Sequence, residues 1–121
     1  MKKILVIDDD KNLQSDLLTI LKLEGYEAFG ADNGREGLLA AKRYKPDLIL
    51  CDITMPMLNG FDVIAGLRQD AQTAAIPVIL LTAHNNPIFV RRGKELGAVD
   101  YIAKPYDLDE LLAAIRTQLG E

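Results

Sequence analysis

Carboxylates, a hydroxyl and an ammonium stand where four short apolar runs of this sequence stop. Ile4-Leu5-Val6-Ile7 leads into Asp8, Asp9 and Asp10, and Leu48-Ile49-Leu50-Cys51 leads into Asp52. Pro77-Val78-Ile79-Leu80-Leu81 leads into Thr82, and Tyr101-Ile102-Ala103 leads into Lys104. Carboxylates gathered at one edge repel one another and are rarely held together without a cation. Hard oxygen donors on loops suit Mg²⁺, which takes one or two carboxylates, waters and phosphate oxygens. Lys104 and Thr82 add a compact positive charge and a hydroxyl, donors suited to an incoming phosphoryl group. Taken singly, each has a plainer use: an aspartate or Thr caps a helix, and a Lys faces solvent. Asp10 reads as such a cap or a solvated charge. The joint pattern carries the weight.

Convergence depends on the elements that hold these residues. Unbroken apolar runs separated by helical periodicity read as parallel strands buried on both faces, all ending at one edge of their sheet. Strands are expected at 3–7, 27–31, 47–52, 77–81 and 100–103. Between and after them, helices are expected at about 12–24, 35–44, 61–69, 87–96 and 107–119. Leu13, Leu17, Leu18 and Leu21 form the apolar stripe of the first helix, with Gly25 as its stop. Leu38 and Ala41 face inward on the second, and Phe61, Ile64 and Leu67 on the third. Gly93 makes the fourth the loosest, at a cost of about 1 kcal/mol relative to Ala. Asp107 caps the fifth, whose stripe is Leu108, Leu111, Leu112, Ile115 and Leu119. Asn59-Gly60 reads as a loop turn with Gly at positive φ. Strict alternation with right-handed crossovers predicts a doubly wound α/β sheet of five parallel strands, order 2-1-3-4-5, with the weak second and short fifth strands at the edges. Ligands of such sheets bind at the carboxyl ends of the strands.

The bulk composition agrees. The chain has 121 residues, 49% of them apolar, enough for a real core and for one domain spanning 1–121. A net charge of −4 argues against a nucleic-acid footprint. No apolar stretch approaches the ~20 residues of a membrane span, and the first is too short for a secretory signal, so a cytoplasmic location is expected. The single cysteine, Cys51, excludes an internal disulfide and reads as a small core residue.

From end to end the chain resembles the receiver domain of two-component response regulators, in its chemotaxis-type, flavodoxin-like form. The matching elements are Ile7-Asp8-Asp9-Asp10, Pro46-Asp47 through Met55-Pro56, Asn59-Gly60, Leu81-Thr82-Ala83 and Tyr101 through Tyr106. The resemblance implies that Asp52 is the phosphoacceptor, taking its phosphoryl group from a phosphohistidine of a sensor kinase or histidine phosphotransfer protein. It implies Mg²⁺ bound directly by Asp9, Asp52 and the main-chain carbonyl of Thr54, and by Asp8 through water. Lys104 would pair with Asp52 and then with the phosphoryl group, across a cis Lys104-Pro105 peptide, and Thr82 and Tyr101 would form a switch pair. Thr54 and His84 would tune dephosphorylation. The output would be a change in the surface of the fourth helix, last strand and last helix, read by a downstream protein, an output domain or a second copy in a phosphorylation-dependent dimer. Arg91, Arg92, Lys94 and Tyr101 mark that surface. Met55-Pro56-Met57 reads as loop packing and partner surface.

Rival readings fare worse. Asp52-Ile53-Thr54 lacks the second Asp of haloacid-dehalogenase-type phosphatases, so the chain is expected not to be an enzyme. A flavin mononucleotide carrier would need a Ser/Thr/Gly-rich phosphate loop where three aspartates stand. A degenerate receiver acting only as a scaffold would lack some of the acidic, Thr and Lys positions, and all are filled.

Overall fold

The computed structural model describes residues 1–83 and 86–121. Strands and helices alternate throughout: β1 (Lys3–Ile7), α1 (Lys11–Leu23), β2 (Glu27–Ala31), α2 (Gly34–Tyr44), β3 (Leu48–Asp52), α3 (Gly60–Arg68), β4 (Val78–Thr82), α4 (Pro87–Glu95), β5 (Asp100–Ala103) and α5 (Leu108–Leu119). The expected element boundaries hold to within a residue or two, the usual fraying of such ends. The strands form one parallel sheet in the order β2-β1-β3-β4-β5. The two strongest apolar runs are adjacent at its centre, and the second and fifth strands are its edges.

Alternate residues of each strand feed two cores. Ile4, Val6, Leu48, Leu50, Ile79, Leu81 and Ile102 pack with Leu17 and Leu21 of α1 and Leu111 and Ile115 of α5. Leu5, Ile7, Ile49, Cys51, Val78 and Leu80 pack with Ala41 of α2 and with Phe61, Val63, Ile64 and Leu67 of α3, and Phe89 of α4 lies against the same cluster. Every residue of β3 and β4 is buried. Each large aliphatic side chain taken from water there stabilises the fold by about 1.5–3 kcal/mol. That driving force leaves register little freedom, since a slip of one residue would exchange the two cores.

Three expectations need correction. Leu13 and Leu108, assigned to buried stripes, are 38% and 40% exposed. Each stands in the first turn of its helix, and Leu13 overhangs the sheet edge to line a groove with Ala83, Pro105 and Tyr106. Gly60 has no positive φ; the left-handed residue of that loop is Met57, at φ 71. Asn59 is instead the N-cap of α3, in a reciprocal capping box with Asp62. Gly60 is required because a Cβ there would lie 2.6 Å from the Asp52 carbonyl oxygen and 2.9 Å from Ile53 Cα. Gly93, expected to loosen its helix, is buried, and a Cβ would meet Leu80 Cδ1 at 2.8 Å, so its bareness also lets α4 seat closely on β4.

Candidate acidic site at the carboxyl edge of the sheet

Asp8 directly follows β1 and stays in the ladder, its N–H donating to the Ala31 carbonyl at 3.1 Å. Asp52 is the last residue of β3 and is 8% exposed. Because β1 and β3 are parallel neighbours in register, Ile7 beside Cys51, their following residues arrive side by side. Asp9, exposed, comes with Asp8. One carboxylate oxygen from each of Asp8, Asp9 and Asp52 lies within 4.8 Å of the others. Asp10 turns away and caps α1, accepting from the N–H groups of Asn12 and Leu13.

Lys104, just beyond β5, reaches into this group. Its ammonium donates to Asp8 Oδ2 at 3.0 Å and lies 3.7 Å from Asp52 Oδ2, with 15% of the side chain exposed. The other Asp8 oxygen accepts the Asp10 N–H at 2.9 Å, so both oxygens of Asp8 are engaged. Thr82 ends β4 fully buried; its carbonyl accepts the Lys104 N–H at 2.7 Å, and its side chain hydrogen-bonds with the half-buried Tyr101. The Lys104–Pro105 peptide is cis. Thr54 is exposed, two residues past Asp52 on the loop that Gly60 closes by donating to the Ile53 carbonyl at 2.8 Å. His84 lies outside the described residues.

The electrostatics are unbalanced. Burial pushes the Asp52 carboxyl above its ordinary value, Lys104 opposes this, and Asp8 and Asp9 push it up further. Burial alone would lower Lys104, yet the Asp8 hydrogen bond and the charges of Asp52 and Asp8 outweigh it and hold the ammonium above its usual value. Contacts of about 4 Å between unit charges are worth roughly 4 kcal/mol each at an effective dielectric near 20. One ammonium therefore cannot offset three converging carboxylates. Hard oxygen donors gathered this closely are consistent with a site for a small divalent cation such as Mg²⁺. Cys51, beside Asp52, is no nucleophile: burial drives its thiol far up, and the Asp52 and Asp8 charges add to that.

The sequence-predicted residues Asp8, Asp9, Asp52, Thr82, Tyr101 and Lys104 are thus brought to one edge. The loop residues divide, Met55 being buried and Met57 98% exposed. On the α4 face Arg91, Arg92 and Lys94 are exposed, and the Arg92 guanidinium lies 5.5 Å from the centre of the Phe61 ring. A residue that sequence reasoning missed also belongs here. Gln14 of α1 donates to the carbonyls of Asp8 and Ala31 and to the Asp32 carboxylate. The available signal was Gly30, an isolated glycine inside a strand, which marks a close approach by something else.

Comparison with known proteins points the same way. The model of the response regulator receiver domain matches residues 4–116. The chain is 40% identical to the protein PilH of Pseudomonas aeruginosa over 120 residues, 99% of both chains. It is 42% identical to the DNA-binding dual master transcriptional regulator RpaA of Synechocystis, but spans only 49% of that longer protein. Among solved structures, the chemotaxis protein CheY4 of Vibrio cholerae superposes with a TM-score of 0.92 at 31% identity, over 97% of this chain and 98% of that one. With its fold, its acidic edge and its lysine in place, this chain belongs to the response regulator receiver domain family.

Proposed function

We propose that this receiver is a phosphorylation-activated switch whose acceptor is Asp52. The observation that carries the reading is the meeting of Asp8, Asp9 and Asp52 within 4.8 Å, with the Lys104 ammonium 3.7 Å from Asp52. Phosphoryl transfer asks a protein for an in-line nucleophile and neutralised charge more than for bond-making of its own. An Asp52 oxygen forms the new bond to phosphorus as the bond to the imidazole nitrogen of a donor phosphohistidine breaks, and the imidazole leaves with a proton from solvent. Asp9, Asp52 and the Thr54 carbonyl would hold Mg²⁺, with Asp8 acting through water. When bound, the ion supplies positive charge against the carboxylates and the transferred group. Lys104 then has a new partner, three phosphoryl oxygens carrying nearly two negative charges. The Thr82 hydroxyl follows those oxygens, which changes its bond with Tyr101 and so the surface of α4, β5 and α5. The result is a shift between two states, no larger than their difference in contacts with the new group. A downstream protein, an output domain or a second copy reads that surface. Thr54, exposed beside the acceptor, and His84 set how readily water reaches the acyl phosphate.

The test is transfer from a phosphorylated histidine phosphotransfer protein in the presence of Mg²⁺. The expected product is a hydroxylamine-labile phosphoryl group on this chain, formed by wild type and not by Asp52→Asn. A label that resists hydroxylamine, or that Asp52→Asn retains, would rule the reading out.

A further inference from the structure

Gln14 sits where α1 crosses the open end of the β1–β2 ladder. Its side-chain nitrogen is 3.0 Å from the Asp8 carbonyl, 2.9 Å from the Ala31 carbonyl and 3.1 Å from Asp32 Oδ1. The last rung of that ladder is the bond from the Asp8 N–H to the same Ala31 carbonyl, at 3.1 Å. Past it the two chains part, Asp8 toward α1 and Asp32 toward α2. The Gln14 amide fills the gap as a further rung supplied by a side chain. Three acceptors around one nitrogen also fix which way the amide faces, since the reversed amide would crowd its own oxygen among three others.

Two features single out this glutamine. First, the seat is cut for it: a Cβ on Gly30 would collide with Gln14 Oε1 and come within 2.9 Å of Gln14 Cδ. Second, the Asp8 carbonyl it holds belongs to the peptide plane joining Asp8 to Asp9, and the orientation of that plane sets the direction in which Asp9 leaves the backbone. Asp8 is held from three sides, by Lys104, by the Asp10 N–H and by Ala31, all at 2.9–3.1 Å. The Asp8–Asp9 plane, and through it the exposed Asp9, is what Gln14 adds.

We propose that Gln14, seated over Gly30, is a positioning residue that fixes the Asp8–Asp9 peptide so that the acidic site is preformed for a divalent cation. The claim deepens the functional reading above and rests on it. Groups that orient metal ligands through hydrogen bonds commonly govern affinity by roughly 10–100-fold. Gln14 is not itself a ligand and adds no charge, so its effect reaches the cation only through geometry.

The experiment is calorimetric titration of the full chain with Mg²⁺ alone, with the thermal midpoint of each metal-free variant measured alongside. Gln14→Met keeps the bulk and removes both donors; it is expected to weaken Mg²⁺ binding roughly tenfold. Gly30→Ala, which evicts the amide from the other side, is expected to do the same. In a Gln14→Ala background only the flexible tip of Leu18, its Cδ1 at 3.0 Å, is left close to the added methyl, so adding Gly30→Ala should change the affinity no further. That non-additivity separates eviction of the amide from a general weakening of β2. Equal Mg²⁺ affinity in wild type and Gln14→Met overturns the role of Gln14 alone. An undiminished Gly30→Ala effect in the Gln14→Ala background also overturns it. Failure of wild type itself to bind Mg²⁺ overturns both this proposal and the reading it rests on.

Discussion

The Lys104 ammonium takes Asp8 as its hydrogen-bond partner, at 3.0 Å, and faces Asp52 at 3.7 Å. The lysine is therefore stationed between the two buried carboxylates, hydrogen-bonded to one and close to the other. Its N–H is bonded to the Thr82 carbonyl, so a shift of Lys104 is felt at the end of β4.

Removing that ammonium leaves two buried carboxylates uncompensated, a change that typically costs about 3–5 kcal/mol. Lys104→Ala is accordingly expected to lower the metal-free stability by roughly 3 kcal/mol. Mg²⁺ should restore much of the loss, because a cation takes over the missing charge. Urea denaturation with and without Mg²⁺ measures both. A metal-free stability equal to wild type would mean that Lys104 is not the counter-charge of this site. In acetyl phosphate reactions the same variant should still bind Mg²⁺ but fail to alter the α4–β5–α5 surface.

Asp52 is strained electrostatically in the absence of a cation, and its acid–base behaviour gives the sign. Burial, with Asp8 and Asp9 adding and Lys104 opposing, holds its carboxyl above the ordinary 3.8. The folded chain thus binds this proton more tightly than the unfolded chain. Stability is full below the ordinary value and is lost as pH rises through the elevated one. Asp52→Asn should remove that portion of the pH dependence and, at neutral pH in EDTA, leave the protein more stable than wild type. Saturating Mg²⁺ should reverse the order, since ligand binding stabilises only the form that binds. Thermal midpoints of the two proteins across pH, with EDTA or Mg²⁺, decide the matter. Midpoints that rise equally with Mg²⁺ in both proteins would remove Asp52 from the cation site.

Gly60 and Gly93 are both glycines within helices, yet the structure assigns them unequal costs. Alanine at 60 would press on backbone, the Asp52 carbonyl oxygen at 2.6 Å and Ile53 Cα at 2.9 Å. Alanine at 93 would press on the tip of one side chain, Leu80 Cδ1 at 2.8 Å. Helix propensity favours alanine by about 1 kcal/mol at an interior position and so offsets part of the second clash. Gly60→Ala should cost roughly 2–3 kcal/mol and weaken Mg²⁺ binding, while Gly93→Ala should fall within about 1 kcal/mol of wild type. Chemical denaturation ranks them; the reverse order would contradict the close approach at Gly60.

Sheet order and the convergence of Asp8, Asp9, Asp52, Thr82 and Lys104 were legible because apolar runs name buried parallel strands, and parallel strands end together. The chemistry at the run ends then had one place to go. What escaped depended on distances that periodicity does not encode. Asn59-Gly60 has the composition of a turn and equally of a helix cap; Asp62, three residues after Asn59, was the distinguishing mark. Leu13 fits a helical stripe, but the sheet edge ends before the first turn of α1, so it overhangs. Gln14 was invisible as a type, since a polar residue one turn into a helix is ordinarily solvated. Only the gap between β1 and β2 and the bare backbone at Gly30 give it a task.

The most direct measurement is the intact mass of the protein after incubation with acetyl phosphate, comparing wild type with Asp52→Asn, each with Mg²⁺ and with EDTA. One phosphoryl adduct is predicted, on wild type and only with Mg²⁺. An adduct of equal yield on Asp52→Asn, or one indifferent to EDTA, would contradict the assignment of Asp52 as a cation-assisted acceptor.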